Sequence, residues 1–147
     1  MKKYPPIIAG ILLGLLFVMS AVVVLFNLVK MPPPPEGSPA AMFFGAFGPT
    51  GYMTFVKVFE LLGGVLVAIL RTRNFGLLIL GPILVNILAF HAFVMRGEGL
   101  GSPMLLGVCA LALFLVWFER AAFGAFLGVK RTELHPTTQP TESRAST

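Results

Sequence analysis

The sequence predicts an all-α protein: a four-helix transmembrane bundle with a short interfacial or re-entrant helix in its first outer loop. Three observations predict it. The 147 residues are 56% hydrophobic and only 12% charged, against roughly 45–50% and 25% in soluble domains. Four apolar runs approach or exceed the roughly 20 residues that a helix needs to cross a bilayer core about 30 Å thick. The positive charges cluster at the ends of those runs, where membrane topology requires them. Together these features exclude a soluble enzyme and a disordered chain. The same placement excludes nucleic acid as a partner despite a net charge of +5; the expected surroundings are a lipid bilayer.

The first run, residues 7–29, contains no charge. It follows Lys2 and Lys3, as a cleaved leader would. Leader cores are about 7–15 residues long, and this run is longer and meets Lys30, so a retained span is expected. The second run, 50–70, has Thr50 as a candidate cap and carries Lys57 and Glu60. The third, 75–95, follows Asn74, a candidate cap, and ends at Arg96. The fourth, 103–128, opens on Ser102 and Pro103, a capping serine followed by proline at the first helical position. Glu119 and Arg120 interrupt it, and whether 121–129 continues the span or lies along the surface stays open. One membrane domain therefore covers residues 1–130. Residues 131–147 are polar without an apolar period, and read as a flexible cytoplasmic tail.

The first outer loop is unusual. Pro32 to Pro35 can only be extended. Ser38 and Pro39 then repeat the helix-start signal, ahead of Met42, Phe43, Phe44 and Phe47. That stretch is too short to span and fits an interfacial or re-entrant helix. Lys2, Lys3, Arg71, Arg73, Lys130 and Arg131 fall on one side of the membrane, against Lys30 and Arg96 on the other. Both termini and the middle loop are therefore expected to be cytoplasmic. Arg71 and Arg73 read as topology anchors, with Glu119 paired to Arg120 or Arg71, and Tyr4 and Trp117 as interface residues.

Inside lipid, close packing rather than hydrophobic burial holds helices together. Gly10 and Gly14 form one G-x-x-x-G pair, and Gly124 and Gly128 another. Gly63 and Gly64 lie in the second run. Pro82 removes the donor for the Leu78 carbonyl, so a kink is expected in the third run.

The charges of the second run need a reason, since each costs roughly 2.5–3.5 kcal/mol at a span centre. Lys57 and Glu60 lie about 60° apart around a helix and share a stripe with Gly64 and Arg71. That face must point into the bundle. By depth alone, Glu60 falls level with Asn86 of the third run, with Lys57 and His91 just outside them. Asn86 and His91 are about 140° apart on an ideal helix, so they need not share a cavity. Two readings follow. Lys57, Glu60, Asn86 and His91 line a polar pocket for the carbonyl or hydroxyl groups of an amphipathic ligand. Alternatively, Lys57 and Glu60 form a neutralised pair that glues helices together, with Asn86 as further polar glue. No catalytic residue and no metal site are assigned. Cys109 stands alone in an apolar run and reads as a packing residue, and two histidines are too few for a His-rich centre.

Three stretches are distinctive: M-P-P-P-P-E-G-S-P-A-A at 31–41, V-K-V-F-E-L-L-G-G at 56–64 and G-P-I-L-V-N-I-L-A-F-H at 81–91. Together they resemble the DoxX-like family of small bacterial membrane proteins, over most of the chain. The resemblance implies a four-helix bundle in the bacterial cytoplasmic (inner) membrane. It implies an oxidoreductase association, because the family takes its name from subunits linked to a terminal quinol oxidase and to thiosulfate:quinone oxidoreduction. The family's Lys, Glu and paired glycines match Lys57, Glu60, Gly63 and Gly64, and its N-x-x-x-F-H pattern matches Asn86, Phe90 and His91. One departure is the end of the first run, where only Asn27 is polar in F-N-L-V-K. The expected function is a quinone-linked redox membrane subunit that binds a quinone or similar amphipathic ligand, not covalently, in a polar pocket between spans two and three. The alternative is an accessory subunit that packs against a larger membrane or redox complex. A small-solute transporter is disfavoured by the absence of an inverted-repeat pattern.

Overall fold

A computed structural model describes residues 4–30 and 32–126. The described residues form helices and no strand: α1 (Tyr4–Leu25), α2 (Pro39–Phe47), α3 (Tyr52–Ala68), α4 (Arg73–Ala89), α5 (Pro103–Phe118) and α6 (Arg120–Phe126). A π-helical turn, Phe90–Val94, extends α4. The expected tail at 131–147, Gly128, and the flanking Lys2, Lys3, Lys130 and Arg131 lie outside the described residues.

α1 and the continuous stretch Arg73–Val94 are each long and apolar enough to cross a membrane. That pattern marks a membrane protein. α5 has 16 residues, about 24 Å at 1.5 Å per residue. α2 and α3 meet at 88°, across a turn in which Gly51 takes a positive φ of 77°.

The helix starts follow the expected chemistry. Ser38 Oγ accepts from Ala41 N at 3.1 Å, with Pro39 at the first helical position of α2. Ser102 Oγ accepts from Leu105 N at 3.4 Å ahead of α5. Thr50 Oγ1 accepts from Tyr52 N at 3.3 Å, although α3 itself begins two residues later. Asn74 is not a cap: α4 starts at Arg73, after Thr72, whose hydroxyl donates to the Leu66 carbonyl at 3.0 Å.

α1 packs on α3 and α5, and α3 on α4. The core is Ala9, Leu13 and Phe17 of α1, with Val67, Leu77, Leu80, Val108 and Leu115. On the outside stand Ile8, Ile11, Leu15, Phe55, Leu62 and Leu113, all exposed. Such a coat suits lipid rather than water.

Glycines set the closest approaches. A Cβ on Gly14 would lie 2.5 Å from the Gly64 carbonyl oxygen, and one on Gly64 would lie 2.9 Å from that of Gly14. Gly63 turns the other way, towards Leu80 of α4. Gly10 is covered by the Arg73 side chain instead of another backbone. Gly124 meets nothing within 4 Å. α4 runs on through Pro82 to Ala89.

The expected fourth run of 103–128 is two helices. α5 stops at Phe118, where Glu119 leaves helical geometry with φ −87° and ψ 7°. The Glu119 carbonyl then accepts from Ala122 N and Phe123 N to start α6. The break occurs where the Glu119 carboxylate reaches across to α4.

Candidate functional site

α3 presents two faces through its adjacent glycines. Gly64 is on the α1 side and Gly63 on the α4 side. Glu60 lies one turn before Gly64, so it shares the α1 side. Its carboxylate is 2% exposed. Lys57 Nζ donates to Glu60 Oε2 at 2.7 Å and to Ser20 Oγ of α1 at 3.2 Å. Ser20 Oγ in turn donates to Glu60 Oε2 at 3.5 Å. The three groups form a closed polar triangle across the α1–α3 seam. The Lys57 side chain is 20% exposed, so the triangle opens at its lysine corner.

Lys57 and Glu60 are thus brought together as expected, but Asn86 and His91 are not brought to them. Asn86 is exposed on α4. His91 Nδ1 lies 2.9 Å from the Ile87 carbonyl of its own helix, and its ring packs on Gly99. Among the described residues, no hydrogen bond or ion pair links Asn86 or His91 to Lys57 or Glu60. The reason is azimuth: Glu60 points to α1, while α4 meets the Gly63 side. Ser20, the partner that sequence reading missed, is the only serine or threonine in α1. A lone hydroxyl in an otherwise uncharged span was the available signal.

The chain matches no family model, no curated protein and no solved structure. The likeness to DoxX-like proteins rests on the three motifs alone.

A second polar site lies at the opposite end. Arg73 is not a surface anchor: it is 1% exposed. Its guanidinium lies against Gly10, where a Cβ would come within 2.9 Å of both Nε and Nη2. Nη1 lies 3.5 Å from Glu119 Oε1, so Glu119 pairs with Arg73 rather than with Arg71 or Arg120. Among the described residues, Nε and Nη2 find no acceptor and Asn74 Oδ1 finds no donor. Arg120 instead stacks over Trp117, 4.3 Å from the ring centroid. Trp117 is 69% exposed. A cavity of about 100 Å³ lies beside Asn74, lined by Arg71, Phe75, Leu78, Ala122 and Phe123.

A larger concavity lies elsewhere. An open groove of about 970 Å³ runs between the proline stretch 32–35 and the end of α4. Phe44, Phe90 and Val94 form its apolar wall. Phe90 is held there by Phe43 and Phe44, at ring distances of 5.0 and 5.6 Å. Aromatic packing continues from Phe43 to Phe47 and on to Tyr52.

Proposed function

We propose that the chain is a DoxX-like, four-span protein of the bacterial cytoplasmic membrane, with both termini inside. It serves as an accessory subunit that packs against a larger, quinone-linked membrane complex. The observation that carries this reading is the polar triangle. Glu60, a buried carboxylate of the spans, is paired inside the bundle with Lys57 and Ser20. Its charge is used to join α1 to α3.

Several features support four spans. α1, and α4 together with its π-helical extension to Val94, are long enough by themselves. α3 and α5, with 17 and 16 residues, are flanked by arginines or by Trp117, which extend a short span into the interface. α2, turned by 88° from α3, lies in the membrane plane with its phenylalanines in the headgroup region. Cysteine accessibility tests the topology in a Cys109→Ser background. Labels on Gly37→Cys and Gly101→Cys should react from outside, and one on Arg71→Cys from inside only.

The subunit role is tested by mild-detergent isolation from native membranes. Stoichiometric recovery with a quinol-reactive complex, whose turnover falls when this chain is deleted, is the expected result. A protein that runs alone and whose deletion leaves quinol turnover unchanged refutes it.

One observation favours direct quinone binding. Lys57 has three ammonium protons and uses two, on Glu60 and Ser20. The third is available to a carbonyl at the exposed corner of the triangle. Binding of a quinone analogue to wild type, lost in Lys57→Met, is expected on this reading. Equal, negligible binding to both removes it.

A further inference from the structure

We propose that the groove between the proline stretch and the end of α4 is a binding site for a zwitterionic phospholipid with a primary ammonium headgroup. The inference rests on the membrane reading above but not on any partner complex.

The lining carries both signs of charge. Arg96, Glu36 and Glu98 all line the groove, and all three are exposed. Among the described residues only Lys57–Glu60 and Arg73–Glu119 form ion pairs, so none of these three charges is neutralised by another side chain. One cation and two carboxylates around an apolar wall match a ligand with a phosphate, an ammonium and a hydrocarbon part. Arg96 suits the phosphate, since a guanidinium presents paired donors to its oxygens. Glu36 and Glu98 accept only, so they suit an ammonium that donates rather than a quaternary amine. Phe44, Phe90 and Val94 take the first acyl methylenes. A volume of about 970 Å³ is at the upper end of ordinary small-molecule pockets, which run from about 300 to 1,000 Å³.

Location supports the same occupant. The groove lies at the end of the long apolar stretch Arg73–Val94, the level at which a lipid headgroup meets the interface. Its shape depends on irregular backbone. Met95 N donates to the Phe90 carbonyl at 2.9 Å, closing the π turn that places Phe90 and Val94 along the wall. Arg96 then takes a left-handed φ of 52°, a conformation that is strained for a non-glycine residue. Such strain concentrates where side chains clamp ligands.

The test uses the full chain in phosphatidylcholine bilayers, with a minor fraction of phosphatidylethanolamine, phosphatidylglycerol or phosphatidylcholine brominated on the acyl chains. A Phe44→Trp reporter in a Trp117→Phe background reads the groove, and Val94→Trp replaces it if Phe44→Trp fails to fold. Bromines quench an indole that they touch. The expected result is that brominated phosphatidylethanolamine occupies the groove about fivefold beyond brominated phosphatidylcholine, equivalent to roughly 1 kcal/mol. Arg96→Glu, and separately Glu36→Gln with Glu98→Gln, should abolish the preference. Equal quenching by all three lipids overturns the proposal, as does preference for phosphatidylglycerol, or variants that keep the wild-type preference. Trp117 of the wild-type chain in fully brominated phosphatidylcholine reports insertion independently. Its quenching separates a failed groove from a failed membrane reading.

Discussion

Lys57→Met should destabilise the protein far more than Glu60→Leu, although each removes one partner of the same pair. The asymmetry follows from burial. Glu60 is 2% exposed, and the Lys57 side chain is 20% exposed. Without Lys57 the carboxylate keeps only the Ser20 hydroxyl, at 3.5 Å. Stranding a buried charge costs about 3–5 kcal/mol. Without Glu60, the Lys57 ammonium can swing outward on its flexible stem, and the loss is about 1 kcal/mol. The double variant leaves no stranded charge and should fall within about 1 kcal/mol of wild type, because apolar replacement of a buried pair is often neutral. The coupling between the two sites is then at least about 3 kcal/mol, or roughly 160-fold in the folding equilibrium. The assay is reversible SDS unfolding in mixed micelles, followed by far-UV circular dichroism. A double variant as unstable as Lys57→Met refutes the reasoning, as does a Glu60→Leu penalty equal to that of Lys57→Met. Either result would mean that the pair faces solvent or lipid rather than the α1–α3 seam.

Further outcomes follow from the same geometry. Ser20→Ala should cost about 0.5–1.5 kcal/mol in the same unfolding assay, the ordinary worth of a hydrogen bond. Gly14→Ala places a methyl 2.5 Å from the Gly64 carbonyl oxygen and should cost about 1–3 kcal/mol. Gly107→Ala, with nothing within 4 Å, should be neutral or stabilise by up to about 1 kcal/mol. Gly10→Ala should destabilise wild type by about 1 kcal/mol but leave an Arg73→Ala variant unchanged, because the three atoms nearest its methyl all belong to the guanidinium.

Much of the fold was legible because local chemistry repeats itself. Ser38–Pro39 and Ser102–Pro103 each announce a helix, and each serine caps one. Close helix contacts at the glycines could be anticipated because only small residues let helix backbones approach within lipid. Depth along a span was also readable, since each residue adds about 1.5 Å. Azimuth was not. Glu60 and Asn86 were level in depth, yet Glu60 faces α1. The choice between α1 and α4 as its neighbour depends on which of two adjacent glycines meets which helix. Either assignment satisfies the composition. Arg73 was hidden for a different reason. A positive charge beside Arg71 at a span end has an adequate explanation in topology, and nothing local reveals that Gly10 leaves room for a guanidinium. The interruption at Glu119 was legible in the run itself, but its ion pair with that same buried arginine was not.

The polar groups also resolve an ambiguity that the glycines leave. The G-x-x-x-G pair of α1 would let either Gly10 or Gly14 sit on Gly64, in two registers one turn apart. In the observed register Gly14 meets Gly64, Ser20 reaches Lys57 and Glu60, and Arg73 covers Gly10. Sliding α1 by four residues would put Gly10 on Gly64 without a clash there. It would also place Leu16 beside the buried carboxylate and bring the Pro6 ring to the arginine. The triangle would lose its hydroxyl, and the guanidinium would meet bulk where it now has space. Small residues allow α1 to approach α3 closely. The serine on one side of that contact and the arginine on the other select which of the two close approaches is used, as single polar residues select register in coiled coils.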